Sequence, residues 1–143
     1  MKSKKMLDNK YALIIEKEEM IIEKLTQFAI KNNIGMAQFQ MIGAVLDVVL
    51  GYVPAQSNHY MTKTFNNQWE LLSTLGSISW DKITLKPIIH CHTTISSDDF
   101  NVIGGHMVDA KVAIKVEVII TVLSNEKVFQ IIDNKSKFEI WDI

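Results

Sequence analysis

His90-Cys91-His92 and Gly104-Gly105-His106 place three of the chain's four histidines within seventeen residues. Side chains two apart on a strand leave the same face, so His90 and His92 can converge on one point while Cys91 points away. A third nitrogen from His106 completes the facial donor set of catalytic zinc sites, which keep the fourth position for water or substrate. Gly104-Gly105 suggests a tight positive-φ turn that swings His106 back over the strand. Two readings stay open: a metal site, for zinc or a similar ion, and hydrogen-bonded histidines at a subunit interface.

Other residues of chemical type weigh less. Cys91 reads as a small core hydrophobe, since nothing basic stands beside it in the sequence. Glu117 lies on the mixed face of a long apolar segment and could be a fourth ligand, a general base, or half of a pair with Lys115 at an interface. Ser96-Ser97-Asp98-Asp99 is ordinary turn chemistry. No glycine has the spacing or the following lysine of a phosphate loop, which argues against nucleotide hydrolysis. Trp69, Trp80 and Trp141 are too scattered for a stacking platform.

The elements that must position the histidines follow from periodicity. Residues 1–10 read as a flexible polar leader and 11–143 as one domain, beginning with a strand over Tyr11–Ile15. Apolar residues at Met20, Ile21, Leu25, Phe28 and Ala29 predict a helix over Glu19–Lys31, stopped at Asn32-Asn33 and Gly35. Alternation then predicts strands over Met36–Met41 and Val45–Tyr52, a loop over Pro54–Asn58, and strands over Tyr60–Phe65, Glu70–Ser79 and Ile88–Ile95. In Val112–Leu123, the strongest strand, Val112, Ile114, Val116, Val118, Ile120 and Val122 share the core face. Val128–Ile132 and Phe138–Trp141 form a hairpin across Asp133-Asn134. One helix among many strands predicts an α+β class, a mostly antiparallel sheet with the helix packed on it.

The bulk numbers narrow the function. At 143 residues and 48% hydrophobic the chain suits a single domain with a real core. No apolar run is long enough to span a bilayer, and the basic start lacks the apolar stretch of a signal sequence, so a cytoplasmic protein is expected. The lone cysteine cannot form an internal disulfide, in keeping with a reducing compartment. All fifteen cations are lysine, against sixteen acids, for a net charge of −1. Without arginine there is no guanidinium fork for bidentate reading of guanine, so DNA contact is expected to be weak and carried by lysine and backbone.

Ile42-Gly43-Ala44-Val45, Gly51-Tyr52, Glu70-Leu71-Leu72, Gly76-Ser77-Ile78-Ser79, His90-Cys91-His92, Gly104-Gly105-His106-Met107 and Glu117-Val118 occur in that order. In this set the chain resembles the PPC domain, named for plants and prokaryotes conserved, from about Tyr11 to Trp141. The resemblance implies antiparallel strands with one main helix, assembly as a homotrimer, and the candidate DNA-binding label that bacterial members carry. In plant members a separate AT-hook around Arg-Gly-Arg contacts DNA, and this sequence has no such segment. The histidine pattern is also similar to that of the acetolactate decarboxylases, which implies zinc at His90, His92 and His106; those enzymes use an arginine that this chain lacks. The expected function is therefore a DNA-associated or regulatory homotrimer with a metal-capable triple-histidine site. The alternatives are a zinc-dependent enzyme acting on a small molecule and a non-catalytic interaction scaffold.

Overall fold

The computed structural model describes residues 1–54 and 60–143. Beyond Pro54, the expected loop lies outside the described residues. In chain order the elements are β1 (Lys2–Leu7), β2 (Lys10–Glu16), α1 (Ile21–Lys31), β3 (Met36–Tyr52), β4 (Met61–Asp81), β5 (Pro87–Ser96), β6 (Val102–Ser124), β7 (Phe129–Ile132) and β8 (Glu139–Trp141). The pairings are antiparallel except for the short β4–β7 contact, so the α+β class with one helix on a mostly antiparallel sheet is the observed one.

The sheet runs β1-β2-β6-β3-β4-β7-β8, and β5 bridges the other sides of β4 and β6. Strands β3, β4, β5 and β6 thus close on themselves, which satisfies strand edges that an open sheet would leave unpaired. The long members are single strands where the polar breaks predicted two. Asn66 and Asn67 oppose Asp47 in a bulge, with φ of 69° at Asn67 and 51° at Asp47. Such a bulge bends the ladder without ending it. At Gly43, φ is +154° and an added Cβ would collide with the Lys115 carbonyl, so only glycine fits there.

Two expectations are corrected by pairing. Residues read as a flexible polar leader form β1, laid antiparallel on β2 from Lys2–Ile14 to Leu7–Lys10. All six side chains of β1 are exposed; its stability comes from backbone hydrogen bonds to an available edge, to which composition is blind. Ile114, expected in the core, is exposed, because the β3–β6 register slips between Val112 and Val116 and takes it off the inner face.

Helix α1 buries Ile21, Leu25, Phe28 and Ala29, a single stripe at helical spacing. Each large side chain so buried contributes about 1.5–3 kcal/mol. Met20 at the N-cap offers no side-chain bond. The missing acceptor comes from β6, where the Asp109 carboxylate takes the Ile22 N–H at 3.2 Å. Asn32 caps the other end and Asn33, at φ 52°, turns the chain away. The core lies between this stripe and the inner faces of β2, β3, β5 and β6, and includes Cys91. The outer face keeps Ile42, Leu72, Leu75 and Ile119 exposed.

Candidate metal centre

Strand β5 alternates cleanly around the site. Cys91 and Thr93 are buried, whereas His90 and His92 point out of the core. His92 is the Cα partner of His106 on β6, and His106 in turn pairs with Gly51 on β3. The site therefore sits where β6 passes between β5 and β3. One ligand nitrogen from each imidazole lies within 4.8 Å of the others. Ring centroids are 5.2 Å apart for His90–His106, 5.3 Å for His90–His92 and 5.5 Å for His92–His106.

Gly104 and Gly105 contribute differently from expectation. Neither has a positive φ; both are extended residues of β6, and no turn returns His106 to the strand. Their value is close approach: a Cβ at Gly104 would stand 2.6 Å from the Thr93 carbonyl oxygen, and one at Gly105 would stand 3.2 Å from that of Gly51. Glycine lets three backbones meet under His106.

Partial desolvation, followed by the charge of neighbouring histidines, pushes the His90 and His106 pKa values below the ordinary histidine value. Like-charged imidazoliums resist crowding, so His90 and His106 favour the neutral form that can ligate a metal. Tetrahedral zinc with Zn–N of 2.0–2.1 Å places its nitrogens about 3.3 Å apart, within reach of small rotations of these side chains. The donor set thus fits a borderline divalent ion.

Two cavities adjoin the cluster. One of about 800 Å³ is lined by all three histidines together with Gly51, Tyr52, Tyr60, Phe138 and Glu139. The other, of about 550 Å³, is lined by His90, His92, Leu75, Trp141 and Glu139. The Tyr60 ring stands edge-on to His106 at 5.7 Å, and its hydroxyl occupies the space over Gly51. Desolvation raises the Tyr60 pKa, keeping the phenol protonated. Tyr60 and Glu139 carry no motif, and only the fold brings them to the histidines.

The remaining candidates lie elsewhere. Glu117 lines neither cavity; it pairs with Lys115 on the outer sheet face, beside Ile42 and Leu72. Within one chain, that position does not bring it to the histidine cavities. Cys91 is buried, and burial pushes its thiol up to about 12, so it stays protonated and inert. Asp99 accepts the Asn101 N–H at 3.2 Å in a turn closed by Phe100 N–H to the Ser97 carbonyl at 3.1 Å, the expected turn chemistry.

The family model of the Plants and Prokaryotes Conserved (PCC) domain matches residues 2–124. Among solved structures, the chain is similar to a candidate DNA-binding protein of Bacteroides thetaiotaomicron, with 25% identity, 96% of this chain and 94% of that one covered, and a TM-score of 0.88. A metal-containing protein of Archaeoglobus fulgidus is 26% identical over 95% of this chain and 94% of its own, with a TM-score of 0.85. A plant- and prokaryote-conserved protein of Pyrococcus horikoshii shares the fold, at 23% identity over 96% and 94% of the two chains and a TM-score of 0.85. No curated protein sequence matches the chain.

Proposed function

The chain belongs to the Plants and Prokaryotes Conserved domain family, and from that premise we propose that it is a DNA-associated or regulatory homotrimer whose His90, His92 and His106 hold a zinc-type divalent ion. The observation that carries this reading is the convergence of three imidazole nitrogens within 4.8 Å. The similarity to a metal-containing archaeal protein supports it. A bound ion of this kind would supply a Lewis acid and a more acidic water. Around it, His90 and His106 are biased toward the neutral form and Tyr60 holds its proton.

Self-association is supported by the exposed apolar residues of the outer face, where Leu75 is 65% and Ile42 53% exposed. A second layer from neighbouring copies would cover them. The DNA role comes from relatives described as candidate DNA-binding proteins. In this chain it would rest on lysines such as Lys4, Lys5 and Lys10 along β1 and β2, and the histidine cavities have no lysine among their lining residues. A cytoplasmic location belongs to the same reading. Among the described residues, no helix is long and apolar enough to cross a membrane.

A second reading, a metalloenzyme acting on a small molecule, is favoured by the cavity of about 800 Å³ with mainly apolar and aromatic walls that opens on all three histidines. Metal analysis of untagged protein tests the common premise. About one zinc-type ion per protomer is expected; metal no higher than in a His92→Ala variant would overturn it.

A further inference from the structure

We propose that Glu139, delivered by the β7–β8 hairpin from beyond the span that the family model matches, is a positioning carboxylate of the histidine site. It accepts a hydrogen bond from the water or other protic group at the metal's open position and strengthens metal binding by its charge. This inference rests on the metal reading above.

Both cavities share His90, His92, Gln130 and Glu139 in their walls. Among the described residues Glu139 is the one carboxylate lining either, and apart from the histidines the rest is mainly apolar. Among the described residues it forms no ion pair, so its charge is not spent on a lysine. Its negative charge reaches His90, where it opposes the effect of desolvation.

The hairpin that carries it is anchored. Glu139 pairs with Ile132 across β7–β8, and β7 continues the sheet beside Trp80 and Asp81 of β4. Gln130 donates to the Ser79 hydroxyl at 2.7 Å, and Lys82 holds Asp142 at 2.9 Å. A carboxylate on a backbone anchored this way, beside the three imidazoles, would be an outer partner that orients what the ion binds. Glu117, the carboxylate singled out from the sequence, pairs instead with Lys115 beside Ile42 and Leu72 and lines neither cavity.

The test is a chelator-competition measurement of Zn²⁺ and Co²⁺ affinity on the full chain at neutral pH. Glu139→Gln is expected to weaken binding about tenfold and to alter the Co²⁺ visible spectrum, while Glu139→Asp recovers most of the loss. The exposed, distant carboxylate variant Glu126→Gln is expected to bind as wild type. Unchanged affinity in Glu139→Gln, or an equal loss in Glu126→Gln, overturns the role of Glu139 and leaves the histidine site standing. Failure of the wild-type chain to bind either ion overturns the histidine site, and the role of Glu139 with it.

Discussion

His92 on β5 and His106 on β6 are direct Cα partners in an antiparallel ladder whose next steps pair Thr93 with Gly105 and Thr94 with Gly104. Side chains directly opposite in such a ladder lie about 4.5–5.5 Å apart at Cβ. Two of the three donors are therefore set by strand register, and His90 joins them by the two-residue repeat of β5. A ligand set built on paired strands is more rigid than one carried on loops.

The contrast between neighbouring residues tests this geometry. His92→Ala removes the residue shared by both relationships and should lower zinc affinity by at least about 100-fold, more than the loss of an outer partner of a ligand typically costs. Cys91→Ser leaves the ligands in place and should bind zinc nearly as wild type. Its cost should appear in folding, about 1–3 kcal/mol for a hydroxyl placed in a buried thiol's position. Isothermal titration and urea unfolding separate the two effects; equal metal loss in both variants would contradict the outward placement of His92.

Gly104→Ala should disturb the site without touching a ligand. The new methyl would meet the Thr93 carbonyl oxygen at 2.6 Å, and backbone cannot move aside cheaply. A destabilisation of about 1–3 kcal/mol is expected, with weaker zinc binding as β5 and β6 part. Gly105→Ala, with its nearest contact at 3.2 Å, should do less. The reverse order in denaturant midpoints would speak against this account of the pair.

The metal-free protein should lose stability in mild acid. His90 and His106 have pKa values lowered in the fold, so the unfolded chain binds more protons than the native one as pH falls from the ordinary histidine value of about 6.5 through the lowered values. Their contribution is complete above that window and is lost below it. Zinc occupancy should fall in the same direction, because protons compete for the same nitrogens. Urea midpoints of the apo-protein across this range, compared with those of a His90→Gln/His106→Gln double variant, check the sign: the variant's curve should be flatter.

Light scattering should give a trimer that dissociates in Leu75→Lys. Leu75 and Ile119 both neighbour Gln40 across β3 and lie exposed on the outer face. A charge buried there without a partner would weaken each interface by about 3–5 kcal/mol. A wild-type monomer, or a variant assembled like the wild type, would show that this face is not the interface.

DNA binding should be weak and steep in salt. With a net charge of −1 and lysine as the only cation, counterion release is the available drive, and dissociation constants no tighter than about 1 μM at physiological salt are expected. Fluorescence anisotropy with several duplexes should show little sequence preference. Tight, selective binding at physiological salt would contradict this expectation.

Much of this protein was legible in one dimension because the relevant physics is local. Period-two and helical spacing located α1, the strand pieces and the C-terminal hairpin, and the two-residue step of His90 and His92 put both on one face opposite Cys91. What the sequence could not contain is register. The slip that exposes Ile114, the bulge that makes Asn66-Asn67 part of β4 and the pairing that recruits β1 depend on which backbones meet. The same holds at the site: glycines expected to form a turn are extended, and their lack of a side chain matters only because Thr93 and Gly51 lie against them. Tyr60 and Glu139 reach the histidines from strands and turns far along the chain. The sequence by itself determined the ligand types and their common face; the closed pairing of β3, β4, β5 and β6 decided where they meet and what stands beside them, because contacts between distant strands have no local signature.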